Sequence, residues 1–161
     1  MLGSFAFFNQ NRDNMKKVIP PVLFLLCVLL IIGLKLLLPE QTILKPPFSY
    51  VGIVLTIGGL AITNHMKNLF DKVKTEIHTF KKPRQLVKKG LYKFSRNPIY
   101  LGFTLSLIGV WVLTGNLIGL FGVLIFFLIS NFWYIPYEER RLEKEFGEEY
   151  KLYKSKVRRW I

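Results

Sequence analysis

Arg96–Asn97–Pro98–Ile99–Tyr100–Leu101–Gly102 is the stretch at which this chain changes character: a long basic loop ends there and an apolar segment begins. Asn97 is a favourable helix cap, and Pro98 suits the first helical position, where its missing N–H would have no partner anyway. Arg96 and Tyr100 add a fixed positive charge and an aromatic hydroxyl at the same entrance. A helix N-terminus carries free N–H groups and a partial positive charge, so the stretch offers an anchor for an anionic group. A membrane helix with a good cap and an Arg among the headgroups accounts for the same residues without any ligand.

Outward from this point the chain divides into apolar runs and charged margins. A bilayer core takes about 20 apolar residues in a helix. Val18–Leu38, Phe48–Leu69, Ile99–Leu113 extended toward a hairpin, and Leu117–Ile135 reach or approach that length. The expected fold is an all-α integral membrane protein. It has about four transmembrane helices, a tight hairpin between the third and fourth across Thr114–Gly115–Asn116, and a C-terminal amphipathic helix. One membrane domain, 1–161, fits the length, with 1–70 holding the first two helices and 71–161 the remainder.

The net charge of +13 raises nucleic acid as a partner, but no nucleic-acid motif accompanies it. Ten basic residues from Lys67 to Arg96 face only Asp71 and Glu76, whereas the short loop Pro39–Pro47 carries Glu40 and Lys45 alone. The positive-inside rule therefore puts the 67–98 loop and both termini in the cytoplasm of a multi-pass protein. The first apolar run follows Lys16–Lys17 and is too long for a signal-peptide core, so it reads as a retained signal anchor. Phe5, Phe7 and Phe8 are candidates for the interface. Lys35 lies where its ammonium reaches the headgroups.

Cys27 lies within an apolar run and has no cysteine to pair with. His65 has no second ligand at helical spacing, and no metal site is expected. Gly52, Gly58, Gly59 and Ala61 give the second helix small residues for close contact. Gly102, Ser106 and Gly109, then Gly115, Gly119 and Gly122, make two further stripes, read as the contact within the third–fourth hairpin. Between them the loop is expected to hold a short element near Glu76–Phe80, a break at Lys82–Pro83, and a turn at Gly90 that aims Tyr92 back toward the third helix. Past Tyr134–Ile135–Pro136–Tyr137, the residues Leu142, Phe146, Tyr150, Tyr153, Val157 and Trp160 fall on one helical face. That helix lies on the membrane or folds over the loop. Glu138 stands at the boundary, where a carboxylate needs solvent or a partner.

This topology gathers Gln85–Tyr92, Arg96–Tyr100 and Glu138 at one mouth, a mixture suited to a zwitterionic, aromatic-bearing cofactor. The string Leu86–Val87, Gly90, Tyr92, Arg96–Asn97–Pro98, Tyr100, Gly102, followed after one hairpin by Glu138–Glu139, Leu142, Phe146–Gly147, Tyr150 and Tyr153, resembles the isoprenylcysteine carboxyl methyltransferase family. It is also similar to the related phospholipid methyltransferases. The resemblance covers residues 76–161 and implies a membrane-embedded, S-adenosylmethionine-dependent methyltransferase. It carries cofactor binding onto Gln85, Leu86, Val87, Tyr92, Asn97, Pro98, Ile99, Tyr100 and Glu138. Arg96 and Glu138 are the candidate catalytic residues, Glu138 pairing with the cofactor's cationic part, and Arg96 or the third helix's N-terminus taking its carboxylate.

Three positions depart from the family. Asn97 stands where many members have His, Arg84 where eukaryotic members have His, and Tyr134 where eukaryotic enzymes have an Arg that serves the acceptor. The implied partners are a lipophilic or lipidated acceptor, such as the carboxylate of an isoprenylcysteine-like substrate, and membrane lipids, with no nucleic acid and no obligate protein partner. Two alternatives stay open. One is an NADPH-dependent enzyme like the sterol reductases, which are much larger. The other is a non-enzymatic protein binding anionic lipid through Lys81, Lys82, Lys88 and Lys89.

Overall fold

The computed structural model describes residues 19–39, 42–72 and 85–161. The expectations for residues 1–17, Glu40, Glu76–Phe80, Lys81, Lys82, Pro83 and Arg84 lie outside them. Helix α1 spans Pro20–Leu37 and begins on a proline, as a first turn allows. Helix α2 spans Val51–Lys72, after a 3-10 turn at Phe48–Tyr50. Helix α3 spans Pro98–Thr114. A 3-10 turn at Leu117–Gly119 leads into α4, Leu120–Ile129. That helix passes through a π-turn at Ser130–Tyr134 into α5, Ile135–Lys156. Three helical stretches, Pro20–Leu37, Phe48–Leu69 and the one starting at Leu117, are long and apolar enough to cross a membrane, and α3 is a shorter apolar helix.

The hairpin lies where the small-residue turn predicts it. Gly115 caps α3 in the left-handed region at φ 64°, a conformation open to glycine. The side-chain oxygen of the buried Asn116 then accepts from the amides of Ile118 and Gly119, starting the next helix. The loop between α1 and α2 clasps this turn: Ile43 and Leu44 donate to the Gly115 carbonyl, and the Asn116 amide donates to the Leu38 carbonyl at 2.6 Å. Lys35, expected at the headgroups, donates to the Thr42 hydroxyl in the same clasp.

The first small-residue stripe faces a partner other than the hairpin, and the second is divided between the hairpin and α1. Gly102, Ser106 and Gly109 pack against α2: a methyl on Gly102 would lie 2.7 Å from the Gly59 carbonyl, and one on Gly109 2.7 Å from that of Gly52. Ser106 completes the seam by donating to the Thr56 carbonyl at 3.2 Å. Gly122 receives Ile31 of α1, whereas Gly119 lies between Trp111 of α3 and Ile31. Helical spacing tells which residues share a face, but not which neighbour the face meets. Above the seam, Cys27, Ile31, Phe103, Leu107, Val123 and Phe126 form the buried centre joining α1, α3 and α4.

The fourth helix, expected to end at Tyr134–Ile135–Pro136–Tyr137, instead runs on through these residues. The Ile135 amide donates five residues back to the Ser130 carbonyl, and the widened turn admits the ring of Pro136, which an ordinary helix interior would reject. The single amphipathic face is also corrected. Gly147, at φ 51° and ψ −124°, interrupts the helix, which ends at Lys156, so Val157 and Trp160 lie off it. The segment beyond Gly147 folds over the loop: Tyr150 and Tyr153 are buried, and the Tyr153 hydroxyl donates to the Tyr92 carbonyl at 2.7 Å.

Candidate active site

The site grows from the first turn of α3. Asn97 occupies the capping position, yet its side chain makes no capping hydrogen bond. Its amide nitrogen donates instead to the Arg159 carbonyl at 3.1 Å, and its backbone N–H donates to the Ser95 hydroxyl. The expected cap is thus replaced by a tie to a distant segment. No side-chain oxygen of Asn97 satisfies the first-turn N–H groups, which a helix leaves without backbone partners of its own.

Beside this turn lies a buried ionic knot. Arg96 donates through Nε and Nη2 to Glu139 Oε1, at 3.1 and 2.8 Å, and through Nη1 to the Lys154 and Val157 carbonyls. Arg159 donates to the other oxygen of Glu139 at 2.9 Å. Glu139 is only 4% exposed. Burial alone would raise its carboxyl pKa, but the hydrogen bonds and charges of Arg159 and Arg96 prevail and hold it below the usual carboxylate range. Arg96, expected at the mouth, therefore has four of its five N–H bonds committed to holding protein together.

One residue earlier on α5, Glu138 faces a different neighbourhood. It accepts from the Tyr100 hydroxyl at 2.8 Å. The Tyr100 ring stacks on Tyr134, centroids 6.3 Å apart, and the π-turn is the element that delivers Tyr134 there. Tyr92 is buried, and burial followed by the charge of Glu138 drives its hydroxyl pKa well up, so it stays a neutral hydroxyl. Tyr153 is likewise raised to about 12 by burial, with Arg96 opposing. The Tyr150 hydroxyl, buried next to these groups, has no hydrogen-bond partner among the described residues.

A profile of the phospholipid methyltransferases matches residues 48–149, a range that contains α2, α3, the hairpin and the Glu138–Glu139 pair. The chain belongs to the phospholipid methyltransferase family. Among named relatives it is 33% identical to Methanethiol S-methyltransferase 1 of Bradyrhizobium diazoefficiens over 125 residues, 74% of this chain and 41% of that one. It is 32% identical to the Probable protein-S-isoprenylcysteine O-methyltransferase of Oryza sativa subsp. indica over 116 residues, 68% of this chain and 58% of that one. It is 42% identical to the Protein-S-isoprenylcysteine O-methyltransferase of Saccharomyces cerevisiae over 74 residues, 45% of this chain and 30% of that one. The chain thus spans between 30% and 58% of the length of these three relatives. No solved structure matches it. Methyltransferases of this family use S-adenosylmethionine as their methyl donor.

Of the residues assigned to that donor by resemblance, the fold of this phospholipid methyltransferase relative unites most. Asn97, Pro98, Ile99 and Tyr100 form the α3 entrance, with Glu138 on Tyr100. Val87 and Tyr92 make a small cluster with Met66 of α2, and Ile99 packs on both this cluster and the main core. Leu86 is half-buried, and Gln85 lies exposed at the edge of the described loop. Glu139 and Arg159 were not singled out from sequence. The available signal was the adjacency of two carboxylates on one helix: at about 100° per residue they cannot share an environment.

Proposed function

We propose that this protein is a membrane-embedded methyltransferase that moves a methyl group from S-adenosylmethionine to a lipophilic acceptor. The observation that carries the reading is the Glu138 carboxylate held by Tyr100 beside the uncapped first turn of α3. An amino-acid headgroup needs an anion for its ammonium and N–H donors for its carboxylate; Glu138 supplies the first and the α3 entrance the second. Arg96, engaged with Glu139, supports that entrance from behind. Tyr92, Tyr100 and Tyr134 offer aromatic surface next to the same carboxylate, an environment that favours a cationic group.

When bound there, the cofactor would supply an electrophilic methyl on a sulfonium, whose sulfur would leave as a neutral thioether. The chain's own task is then to hold donor and acceptor in line and to exclude water, which is where positioning accounts for most of the acceleration. A carboxylate or thiolate acceptor is already nucleophilic, so no strong general base is required. The acceptor enters sideways from the bilayer between the helices. We take the carboxylate of an isoprenylcysteine-like lipid as the first class to test and a small thiol as the second, these being the two activities in the relatives' names. By its charge, the basic loop with α5 faces the cytoplasm.

Calorimetric titration of the detergent-purified protein with S-adenosylmethionine and, separately, NADPH tests the reading. Micromolar binding of the first alone is expected. NADPH binding alone would move the protein to reductase chemistry, and binding of neither by folded protein would leave an anionic-lipid-binding module.

A further inference from the structure

Residues 157–160 form a strap that runs past the end of α5, beyond the residues the family profile matches, and ties several elements together. On the loop before α3, the Arg96 amide donates to the Arg158 carbonyl at 2.9 Å, and Ser95 pairs with Arg158 as a short parallel bridge. At the α3 entrance the Arg159 carbonyl accepts from the Asn97 side chain. On the π-turn, Asn131 Oδ1 accepts from the Trp160 indole at 3.0 Å, while the Trp160 ring stacks on Phe127 of α4. The Arg159 guanidinium then ties the strap to Glu139, next to Glu138.

Asn97 gives the strap its meaning. Asn is among the preferred helix caps, it stands at the capping position, and it does not cap. A local rule broken at a candidate site is where function is expected. With the strap in place, the amide is held on the Arg159 carbonyl. Without it, the same side chain is free to swing onto its own helix and compete for the N–H groups a ligand would use.

Resting on the methyltransferase reading above, we infer that Glu139 and Arg159 are positioning residues that anchor the 157–160 strap, which holds Asn97 and the α3 entrance in the arrangement that accepts the cofactor. Arg159 is the useful handle. Its side chain is 35% exposed, and Glu139 keeps its contact with Arg96 when Arg159 is lost.

The test titrates the full chain, purified in detergent, with S-adenosylmethionine for the wild type, Arg159→Ala, Arg159→Lys and the double variant Arg159→Ala with Asn97→Ala. Thermal unfolding and tryptic cleavage after Arg158 are followed alongside. Arg159→Ala is expected to weaken binding about tenfold, equivalent to about 1.4 kcal/mol, and to speed cleavage even without ligand. Arg159→Lys should recover most of the affinity, and removing the Asn97 side chain should restore part of what Arg159→Ala loses. An Arg159→Ala affinity equal to wild type would overturn the strap while leaving the methyltransferase reading intact. So would a loss that neither Arg159→Lys nor the Asn97 change reverses. Wild-type protein that binds no S-adenosylmethionine would overturn both.

Discussion

Helix α3 presents two unlike surfaces, and each is organised by a different force. Along its length, Gly102, Ser106 and Gly109 meet Gly52, Thr56 and Gly59 of α2 in a seam without charge, closed by backbone approach and the Ser106 hydroxyl's bond to the Thr56 carbonyl. At its entrance the partners are Glu139, Arg96, Arg159 and the Tyr100–Glu138 pair, where charge is buried and matched. Lipid gives apolar side chains no reason to prefer each other over the bilayer, so the seam depends on fit. At the entrance, Glu139 is the shared partner of two guanidinium groups, so removing it leaves both without their carboxylate.

The largest effect should come from Glu139→Ala. It leaves Arg96 and Arg159 without their shared carboxylate and is expected to lower stability by about 3–5 kcal/mol, seen as a large fall in the thermal midpoint in detergent. Glu138→Ala, one residue away, should leave that midpoint within a few degrees. Comparable melting of the two variants would dissolve the distinction between anchor and ligand site. On the seam, Gly109→Ala puts a methyl against the backbone of Thr56 and Gly52 and should cost about 1–3 kcal/mol. Gly58→Ala, with open space around it, should be silent in the same assay.

Tyr100→Phe sharpens the entrance. It removes the hydroxyl bonded to Glu138 and should weaken S-adenosylmethionine about tenfold, in line with a hydrogen bond to a charged group, while the melting curve barely moves. The smallest effect is on pH dependence. The Glu139 pKa is lowered in the folded state. Its stabilisation is therefore complete above the ordinary carboxylate pKa, about 4.3, and is lost as pH falls through the lowered value. The stability gap between wild type and Glu139→Gln should narrow across that acid window; a gap constant with pH would mean the carboxylate's charge is not what the arginines hold.

Hydropathy and turn chemistry made the architecture legible. The apolar runs, the Thr114–Asn116 hairpin and the helix start at Pro98 all stand where local signals put them. The family and its methyl donor were legible too, because the Arg96–Gly102 string and the Glu138–Tyr153 string occur in order around one hairpin. The partner of each small-residue stripe was not legible, since periodicity carries phase but no address. Nor was the role of Glu139, which differs from Glu138 only by helix phase. The continuous helix through Pro136 and the strap beyond Lys156 escaped for a related reason. The π-turn at Ser130–Tyr134 is marked by no local residue type, and the inward-folded segment is held by Asn97 and Asn131, which lie far from it in sequence.

On the proposed function, Glu138 and Glu139, adjacent in the chain, divide the labour between holding a cofactor and holding the fold. Titration of S-adenosylmethionine into Glu138→Ala protein, beside wild type, tests it most directly. Micromolar binding is expected of the wild type, and none measurable of a variant that still melts cooperatively near the wild-type temperature. Unchanged affinity in Glu138→Ala would contradict it and remove Glu138 from the site.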